Sequence, residues 1–287
     1  MISGMFCFAC VDVVIKSVSA SLPEGQILFF FGLGTALCFY GVIWRGKLAV
    51  WNRHFYHHAV LLRIGGEGVG SACLVFALSG ASLSEVTVVL QTVPIIMVGL
   101  AILFLKERPS MMRILTLMLG FAGALIVIRP GMHADYFYLL LALIAATGLG
   151  VRDMSVRFAP PQISVPALSF IGAVAVTAAG VVLIAIEGRF VALSFVQMLQ
   201  LLVMAGCAAA GLWSVARCMQ LADISATGPF RYSRIIFGVG MGVIFFAEKT
   251  DIFILTGSAL ILAAGLLSWA KETGLSLPSP STHRDKK

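Results

Sequence analysis

Long apolar runs, separated by short clusters of charged and turn residues, fill nearly the whole 287-residue chain. Hydrophobic residues make up 60% of the sequence and charged residues only 11%, whereas roughly a quarter of a soluble domain is charged. A chain with so little polar surface cannot cover itself in water, and about 20 apolar residues suffice to cross the hydrocarbon core of a bilayer. The sequence therefore predicts a membrane protein.

The charge clusters divide the chain into ten predicted spans. Their approximate bounds are 2–18, 26–44, 58–78, 83–104, 111–129, 136–155, 165–187, 197–216, 224–246 and 252–270. The first apolar run follows Met1 without a basic segment or a small-residue cleavage site, so we expect a first span rather than a removable signal peptide. The polar tail, 271–287, has no apolar face to bury and is predicted to be disordered.

Lysine and arginine are unevenly divided between the two ends of the predicted spans. With a cytoplasmic N-terminus, thirteen lie on the cytoplasmic side and four on the opposite side, while Arg63, Arg231 and Arg234 fall within spans. Because basic loops stay in the cytoplasm, both termini are predicted to face the cytoplasm. The net charge of +7 is then an orientation signal, and we expect no nucleic-acid partner.

The two halves of the chain are related by an offset of 141 residues. This offset places Asp12 on Asp153, Lys16 on Arg157, Ser84 on Ser225, Gly99 on Gly240 and Glu107 on Glu248. Each half holds five spans, and the odd number makes the second half enter the membrane from the opposite side. The predicted fold class is an all-α membrane protein with ten transmembrane helices in two inverted five-helix repeats, 1–131 and 132–270. Inverted repeats are a recurring architecture of secondary transporters.

The segment from Ala77 to Gly131 resembles the EamA-type repeat of the drug/metabolite transporter superfamily. The matching residues are Ala77-Leu78, Ala81, Ser84, Pro94, Leu105-Lys106-Glu107-Arg108 and Gly120-Phe121-Ala122-Gly123, and the second half repeats the pattern at Ser225, Glu248, Gly257 and Gly265. The resemblance implies ten helices, cytoplasmic termini and a central cavity framed by the first, third, fourth, sixth, eighth and ninth helices. Asp12, Lys16 and Gly25-Gln26, with Arg152-Asp153, are similar to a subgroup that includes bacterial riboflavin and S-adenosylmethionine transporters.

Two groups of polar residues inside spans are candidates for solute binding, because charge within the bilayer by default marks a pathway or a solute contact. Arg63 and Glu67 stand one turn apart in the third span, where Glu67 is predicted to face the cavity, with simple pairing to Arg63 as the alternative. The neighbouring glycines predict close helix packing through Gly66-x-x-x-Gly70 rather than a dinucleotide fingerprint. The ninth span carries Arg231, Tyr232 and Arg234 at the depth where the first half has Leu90-Gln91-Thr92-Val93.

The two arginines of the ninth span could clamp a carboxylate or phosphate, and snorkelling to the membrane interface is the alternative. Tyr232 and Trp213 could stack an aromatic ligand, with ordinary packing as the alternative. The predicted solute-binding residues are Arg63, Glu67, Gln91, Trp213, Arg231, Tyr232 and Arg234.

Three residues are predicted to act in coupling or gating: Asp12, Lys16 and Asp153. For Asp12 and Lys16, one turn apart in the first span, an interfacial ion pair is an equal alternative. For Asp153, which is grouped with Arg152 and Arg157 near the predicted cytoplasmic surface, anchoring is the favoured alternative.

Structural roles are predicted for two carboxylates and one proline. Glu107 and Glu248 end the fourth and ninth spans, where each is predicted to cap the helix that follows. Pro94 is predicted to kink the fourth span.

The sequence carries none of the motifs that would indicate an enzyme. It contains no P-loop, HExxH or GxSxG motif, every histidine lies in a predicted loop or tail, and Cys7-Phe8-Ala9-Cys10 has no second ligand pair. We expect no enzymatic activity, no metal and no cofactor. The predicted function is secondary transport of a small organic metabolite by alternating access. The solute is expected to be amino-acid-like, riboflavin-like or S-adenosylmethionine-like, with a proton or counter-solute as the coupling partner. A non-transporting membrane scaffold or accessory protein is the alternative.

Overall fold

The computed structural model describes residues 1–48, 57–105, 111–128, 136–160, 162–221, 230–249 and 251–272, and these residues form helices and their connections without a strand. The helices are α1 (Ile2–Val18), α2 (Glu24–Gly46), α3 (His58–Gly80), α4 (Leu83–Leu90), α5 (Val93–Leu105), α6 (Met111–Ile128), α7 (Tyr136–Phe158), α8 (Val165–Glu187), α9 (Phe195–Leu221), α10 (Ser233–Phe246) and α11 (Ile252–Glu272). The predicted all-α membrane fold is confirmed. Glu107, Ser225 and most of the predicted tail lie outside the described residues.

The outer surface of the bundle is apolar. Helices α2, α3, α7, α8 and α9 are long and apolar enough to cross a membrane, with mean hydropathies of 1.5 to 2.4. Side chains such as Trp44, Ile186, Phe195 and Ile244 are more than 70% exposed. Because apolar surface is driven out of water, this exterior suits contact with lipid chains.

Two helices, α4 and α5, form the fourth predicted span, which is interrupted at Gln91 and Thr92. The backbone N–H groups of these two residues donate to Val88 and Val89, three residues back, at 3.1 and 3.0 Å. Pro94 follows directly, and a proline inside a helix removes one hydrogen bond and clashes with the carbonyl four residues earlier. The interruption therefore lies where the proline predicts it. Tyr232, which the 141-residue offset places on Gln91, is likewise a turn residue immediately before α10.

Helix contacts follow the relation between the halves. Helix α3 packs along α7 and, in the equivalent pairing, α9 packs along α1, while α2 packs on α8 and α6 packs on α11. The α3–α7 crossing is close because it is built on glycine. A Cβ atom added at Gly66 would lie 2.6 Å from the carbonyl oxygen of Gly148, and one at Gly70 would lie 3.0 Å from the backbone nitrogen of Leu149. The predicted role of Gly66-x-x-x-Gly70 in packing is therefore seen in the structure.

Hydrogen bonds join the helix ends at one end of the bundle, and those between Gln26 and Val191 and between Gly25 and Glu187 run from one half of the chain to the other. We call this end the Lys16 end, and the opposite end the Met1 end. The bonds run from Lys16 Nζ to the carbonyl of Ala81, from Gln26 Nε2 to the carbonyl of Val191 (2.8 Å), from Val191 N to Gln26 Oε1 (2.9 Å) and from Gly25 N to Glu187 Oε1 (3.0 Å). They hold the end of α1 and the start of α2 against neighbouring helices.

Glu248, also at the Lys16 end, caps a different helix from the one predicted. Its carboxylate accepts hydrogen bonds from the backbone nitrogens of Leu83 (2.6 Å) and Ser84 (2.9 Å), and from Ser84 Oγ (2.6 Å). Ala247, with φ of 50°, turns the chain at the end of α10 and places the carboxylate there. The prediction that Glu248 caps the next helix in sequence was wrong, because the free N–H groups nearest to it in space belong to α4.

Replacing Glu248 with alanine is expected to lower the free energy of unfolding by about 1–2 kcal/mol, because two backbone donors of α4 lose their acceptor. Replacement with glutamine should cost less, since the amide oxygen still accepts one of these bonds. Thermal unfolding of the detergent-solubilised protein would test this order. Equal melting temperatures for the wild type and the alanine variant would contradict the capping role.

Candidate functional site

Seven charged side chains form a continuous cluster inside the bundle, which we call the charged network: Asp12, Arg63, Glu67, Arg152, Asp153, Arg231 and Arg234. Six of these residues are less than 9% exposed, and the Arg231 side chain is 11% exposed. They come from α1, α3, α7, the first turn of α10 and the residues just before it. Charge buried within membrane-spanning helices is rare and unfavourable, so this cluster is the candidate functional site.

The first part of the charged network joins α3 to α7. Arg63 Nη2 lies 2.9 Å from Glu67 Oε2, one turn along α3, which is the pairing that the sequence offered as the alternative. Arg152 Nη1 lies 3.3 Å from Glu67 Oε1. Two residues of α8, Ser169 and Gly172, lie against the Arg63–Glu67 ion pair. Ser169 Oγ accepts a hydrogen bond from Arg63 at 3.5 Å, and a Cβ atom added at Gly172 would lie 2.9 Å from Arg63 Nε. The α3 ion pair therefore depends on a residue without a side chain at position 172.

The second part joins α7 to the segment that enters α10. Arg152 Nε donates to Asp153 Oδ1 at 2.8 Å, and Arg231 Nη2 donates to Asp153 Oδ2. Each oxygen of Asp153 thus has its own guanidinium partner. The favoured reading of Arg152 and Asp153 as interfacial anchors was wrong, because both side chains are buried against other helices rather than directed to the membrane surface.

The third part pairs Asp12 of α1 with Arg234 of α10. Arg234 Nη2 and Nε both donate to Asp12 Oδ2, at 2.6 and 3.2 Å. Among the residues that the structure describes, the other oxygen, Oδ1, is buried and has no hydrogen-bond partner. Asp12 is only 1% exposed, so the interfacial alternative for this residue was wrong. Lys16, one turn further along α1, donates to the carbonyl of Ala81.

Phe8 connects the third part to the other two. The guanidinium carbons of Arg152 and Arg234 lie 5.6 and 5.4 Å from the centroid of the Phe8 ring, within the range of cation–π attraction. The sequence reasoning missed Phe8, although it stands one turn before Asp12. It also missed the central place of Arg152, which its position beside Asp153 could have indicated, and the roles of Ser169 and Gly172, which no sequence pattern marked.

The arginines of the ninth span pair with the two repeat-equivalent aspartates. Arg231 binds Asp153 and Arg234 binds Asp12, and the offset of 141 residues relates these aspartates to each other. The first half has Leu90 and Val93 at the positions equivalent to the arginines. The sharpest difference between the halves therefore lies in the segment from Arg231 to Arg234, which meets both α1 and α7.

The remaining predicted solute-binding residues lie beside the charged network or away from it. Gln91 Nε2 donates to the carbonyl of Arg231 at 2.9 Å, which ties the interruption of the fourth span to that of the ninth. The Tyr232 ring is buried against Gly265 of α11. Trp213 is 37% exposed on α9, and its ring lies 5.7 Å from the guanidinium of Arg217. The two aromatic side chains thus face different partners, and the structure does not assemble them as a stacking pair.

An apolar helical bundle around an internal charged network defines a multi-pass membrane protein with a polar interior.

Residues 1–129 match the EamA-like transporter family. A riboflavin transporter of Brucella anthropi is 26% identical over 96% of this chain and 99% of its own length. An S-adenosylmethionine uptake transporter of Rickettsia bellii is 25% identical over 89% of this chain and 87% of its own. The pseudopaline exporter CntI of Pseudomonas aeruginosa is 23% identical over 90% of each chain.

A solved crystal structure superposes on the fold with a TM-score of 0.68, covering 96% of this chain and 98% of that chain at 15% sequence identity. This likeness concerns the fold alone. Residues 1–129 thus carry the likeness to EamA-like transporters, and the related proteins that align with most of the chain are small-molecule transporters.

Proposed function

We propose that this protein is a secondary transporter that moves a small organic solute across the bacterial inner membrane by alternating access. The observation that carries the proposal is the charged network, which draws on both halves of the chain inside the bundle. Buried ion pairs are often no more stabilising than apolar packing, so stability alone is a weak reason for them. Solute binding near the interface of two repeats is a common design in transporters and accounts for such a site.

The orientation we propose places both termini and the Met1 end in the cytoplasm, in keeping with the excess of basic residues predicted there. The Lys16 end then faces outward, and its hydrogen bonds seal the pathway on that side. Lys16 acts in this proposal as part of the outer gate, through its bond to Ala81.

Within the charged network, we assign solute contact to Arg63, Glu67, Arg231 and Arg234. Gln91 positions Arg231 through its backbone carbonyl. Asp12 and Asp153 serve in coupling or gating, because each joins one repeat-equivalent helix, α1 or α7, to the same arginine-bearing segment. The contacts of Tyr232 and Trp213 favour packing roles for these two residues.

For coupling, we propose that a proton binds Glu67 or Asp12, with exchange against a counter-solute as the other route. The charged groups around Glu67 are Arg63 on its own helix and Arg152 on α7. The charged groups around Asp12 are Arg234 on α10 and Lys16 on α1. Arg152 of α7 lies on the other side of the Phe8 ring, with Asp153 beside it. Protonation of either carboxylate would weaken its ion pair and leave a guanidinium for the solute.

For the solute itself, we propose a metabolite of the size and polarity of an amino acid, riboflavin or S-adenosylmethionine, on the strength of the names of the related transporters.

The proposal predicts that Glu67→Gln and Arg234→Gln each reduce solute uptake into proteoliposomes by about tenfold or more, the effect of losing one interaction of about 1.4 kcal/mol. Glu67→Gln should also flatten the pH dependence of uptake if Glu67 carries the proton. Labelled riboflavin, S-adenosylmethionine and amino acids are the first solutes to screen.

Arg45→Gln is the matched control, because Arg45 is an exposed arginine at the end of α2. Uptake and pH dependence unchanged in both network variants would refute the site. A complete absence of flux with every solute tested would favour the scaffold alternative.

A further inference from the structure

The two repeat-equivalent aspartates are paired in different ways. Asp153 uses both oxygens, each with a separate guanidinium. Asp12 uses Oδ2 alone, which receives both donors of Arg234, and its buried Oδ1 has no hydrogen-bond partner among the described residues. Arginine binds a carboxylate best when two parallel hydrogen bonds reach two oxygens. The Asp12–Arg234 pair is therefore less complete than the one its equivalent forms.

The net charge of the charged network favours an anionic ligand. The charged network contains four guanidinium groups and three carboxylates, so it holds one positive charge in excess when all seven groups are ionised. An unbalanced charge inside the membrane is unfavourable. A singly charged anion bound among these groups would make the total neutral, whereas a cation would increase the excess.

A second buried polar group without a partner lies beside the same turn of α10. Thr87 of α4 is fully buried, and among the described residues its Oγ1 forms no hydrogen bond. Its side chain packs against Gly238, one turn beyond Arg234. A hydroxyl can donate to an anionic oxygen. Buried polar atoms are nearly always hydrogen-bonded in native proteins, so the Thr87 hydroxyl is a donor that an anionic oxygen beside the Arg234–Gly238 turn would satisfy.

We infer that Arg234 binds the anionic oxygen group of the transported solute, and that this group takes the place of the Asp12 carboxylate. The inference deepens the proposed transport function, on which it rests, by assigning the solute to the organic anions, with a carboxylate as the simplest group. Exchange of one carboxylate for another keeps the guanidinium paired throughout. The Arg234 guanidinium is therefore never left without a carboxylate partner as the solute enters and leaves.

The test uses the full chain in detergent, without added phospholipid, and acetate as the probe. Asp12→Asn removes the internal carboxylate. For each protein, the melting temperature in about 50 mM acetate is compared with that in the same concentration of chloride. Acetate should raise the melting temperature of Asp12→Asn about 3 °C more than that of the wild type. The double variant Asp12→Asn/Arg234→Gln should lose this effect. Inorganic phosphate, tested in parallel, shows whether the site accepts a second class of oxyanion.

Glu187→Gln is the matched control. Glu187 accepts a hydrogen bond from the backbone nitrogen of Gly25, so its neutralisation leaves no guanidinium without a carboxylate partner. Acetate should not stabilise this variant beyond the wild type. Equal acetate effects in the single and double variants, or none in either, would overturn the inference. If Asp12→Asn is too unstable to purify, the same melts can be recorded in isolated membranes with a fluorescent-protein fusion. Because binding is measured without flux, its failure would leave the proposed transport untouched, and a failure of transport would not affect the binding result.

Discussion

Replacing Arg152 with methionine is expected to abolish solute uptake and to destabilise the protein strongly. Arg152 is the centre of the charged network, since its guanidinium contacts Glu67 at 3.3 Å and Asp153 at 2.8 Å and lies over the ring of Phe8. Its loss leaves two buried carboxylates with one partner each. Removing one member of a buried ion pair typically costs about 3–5 kcal/mol, and melting temperature and proteoliposome uptake would both report it.

Arg45→Met is the control for this prediction, because it removes an arginine of the same size from an exposed position. The control should keep wild-type uptake and nearly wild-type stability. If Arg152→Met behaved like Arg45→Met, the charged network would not be the site of transport, and its ion pairs would contribute little to the fold.

Replacing Gly66 with alanine is the second substitution with a large expected effect. The added Cβ would meet the carbonyl oxygen of Gly148 at 2.6 Å and the backbone nitrogen of Arg152 at 2.8 Å, so the backbones of α3 and α7 must separate. Overpacking of this kind costs about 1–3 kcal/mol or more. The shift would also pull Glu67 away from Arg152, so we expect both a lower melting temperature and reduced uptake.

The neighbouring glycine provides a matched control on the same helix. A Cβ atom at Gly65 would have nothing within 4 Å, and alanine is favoured over glycine in a helix by about 1 kcal/mol. Gly65→Ala should therefore be neutral or slightly stabilising. If Gly66→Ala and Gly65→Ala had the same melting temperature, the close α3–α7 crossing would be refuted.

Much of the architecture could be read from the sequence because the bilayer permits few solutions. The backbone must satisfy its own hydrogen bonds in lipid, so long apolar runs become helices. Pro94 marked the interruption of the fourth span, and Gly66 with Gly70 marked a close helix crossing. The spacing of Arg63 and Glu67 placed them on one helical face, where they form an ion pair.

The partners of the charged residues could not be predicted in the same way. Asp12 pairs with Arg234, 222 positions away, and Glu248 caps α4 rather than the helix that follows it. Local spacing suggested Lys16 as the partner of Asp12 and the membrane surface as the location of Arg152. The structure places Asp12 and Arg152 in buried ion pairs with other helices, because side chains in a packed bundle meet residues on adjacent helices, and helix adjacency is not written in local sequence.

The sequence by itself determined that this chain is a helical membrane protein, because apolar length and charge distribution leave few alternatives, and the 141-residue offset predicted two related halves. It also placed Arg63, Arg231 and Arg234 within the spans. Only the tertiary structure decided that Arg231 and Arg234 meet the equivalent aspartates of the two halves and that Phe8 lies between two guanidinium groups. It also decided that one oxygen of Asp12 has no partner within the described part of the chain. The physical reason is that periodicity fixes a residue's height and face on its own helix, whereas its partners depend on how neighbouring helices cross.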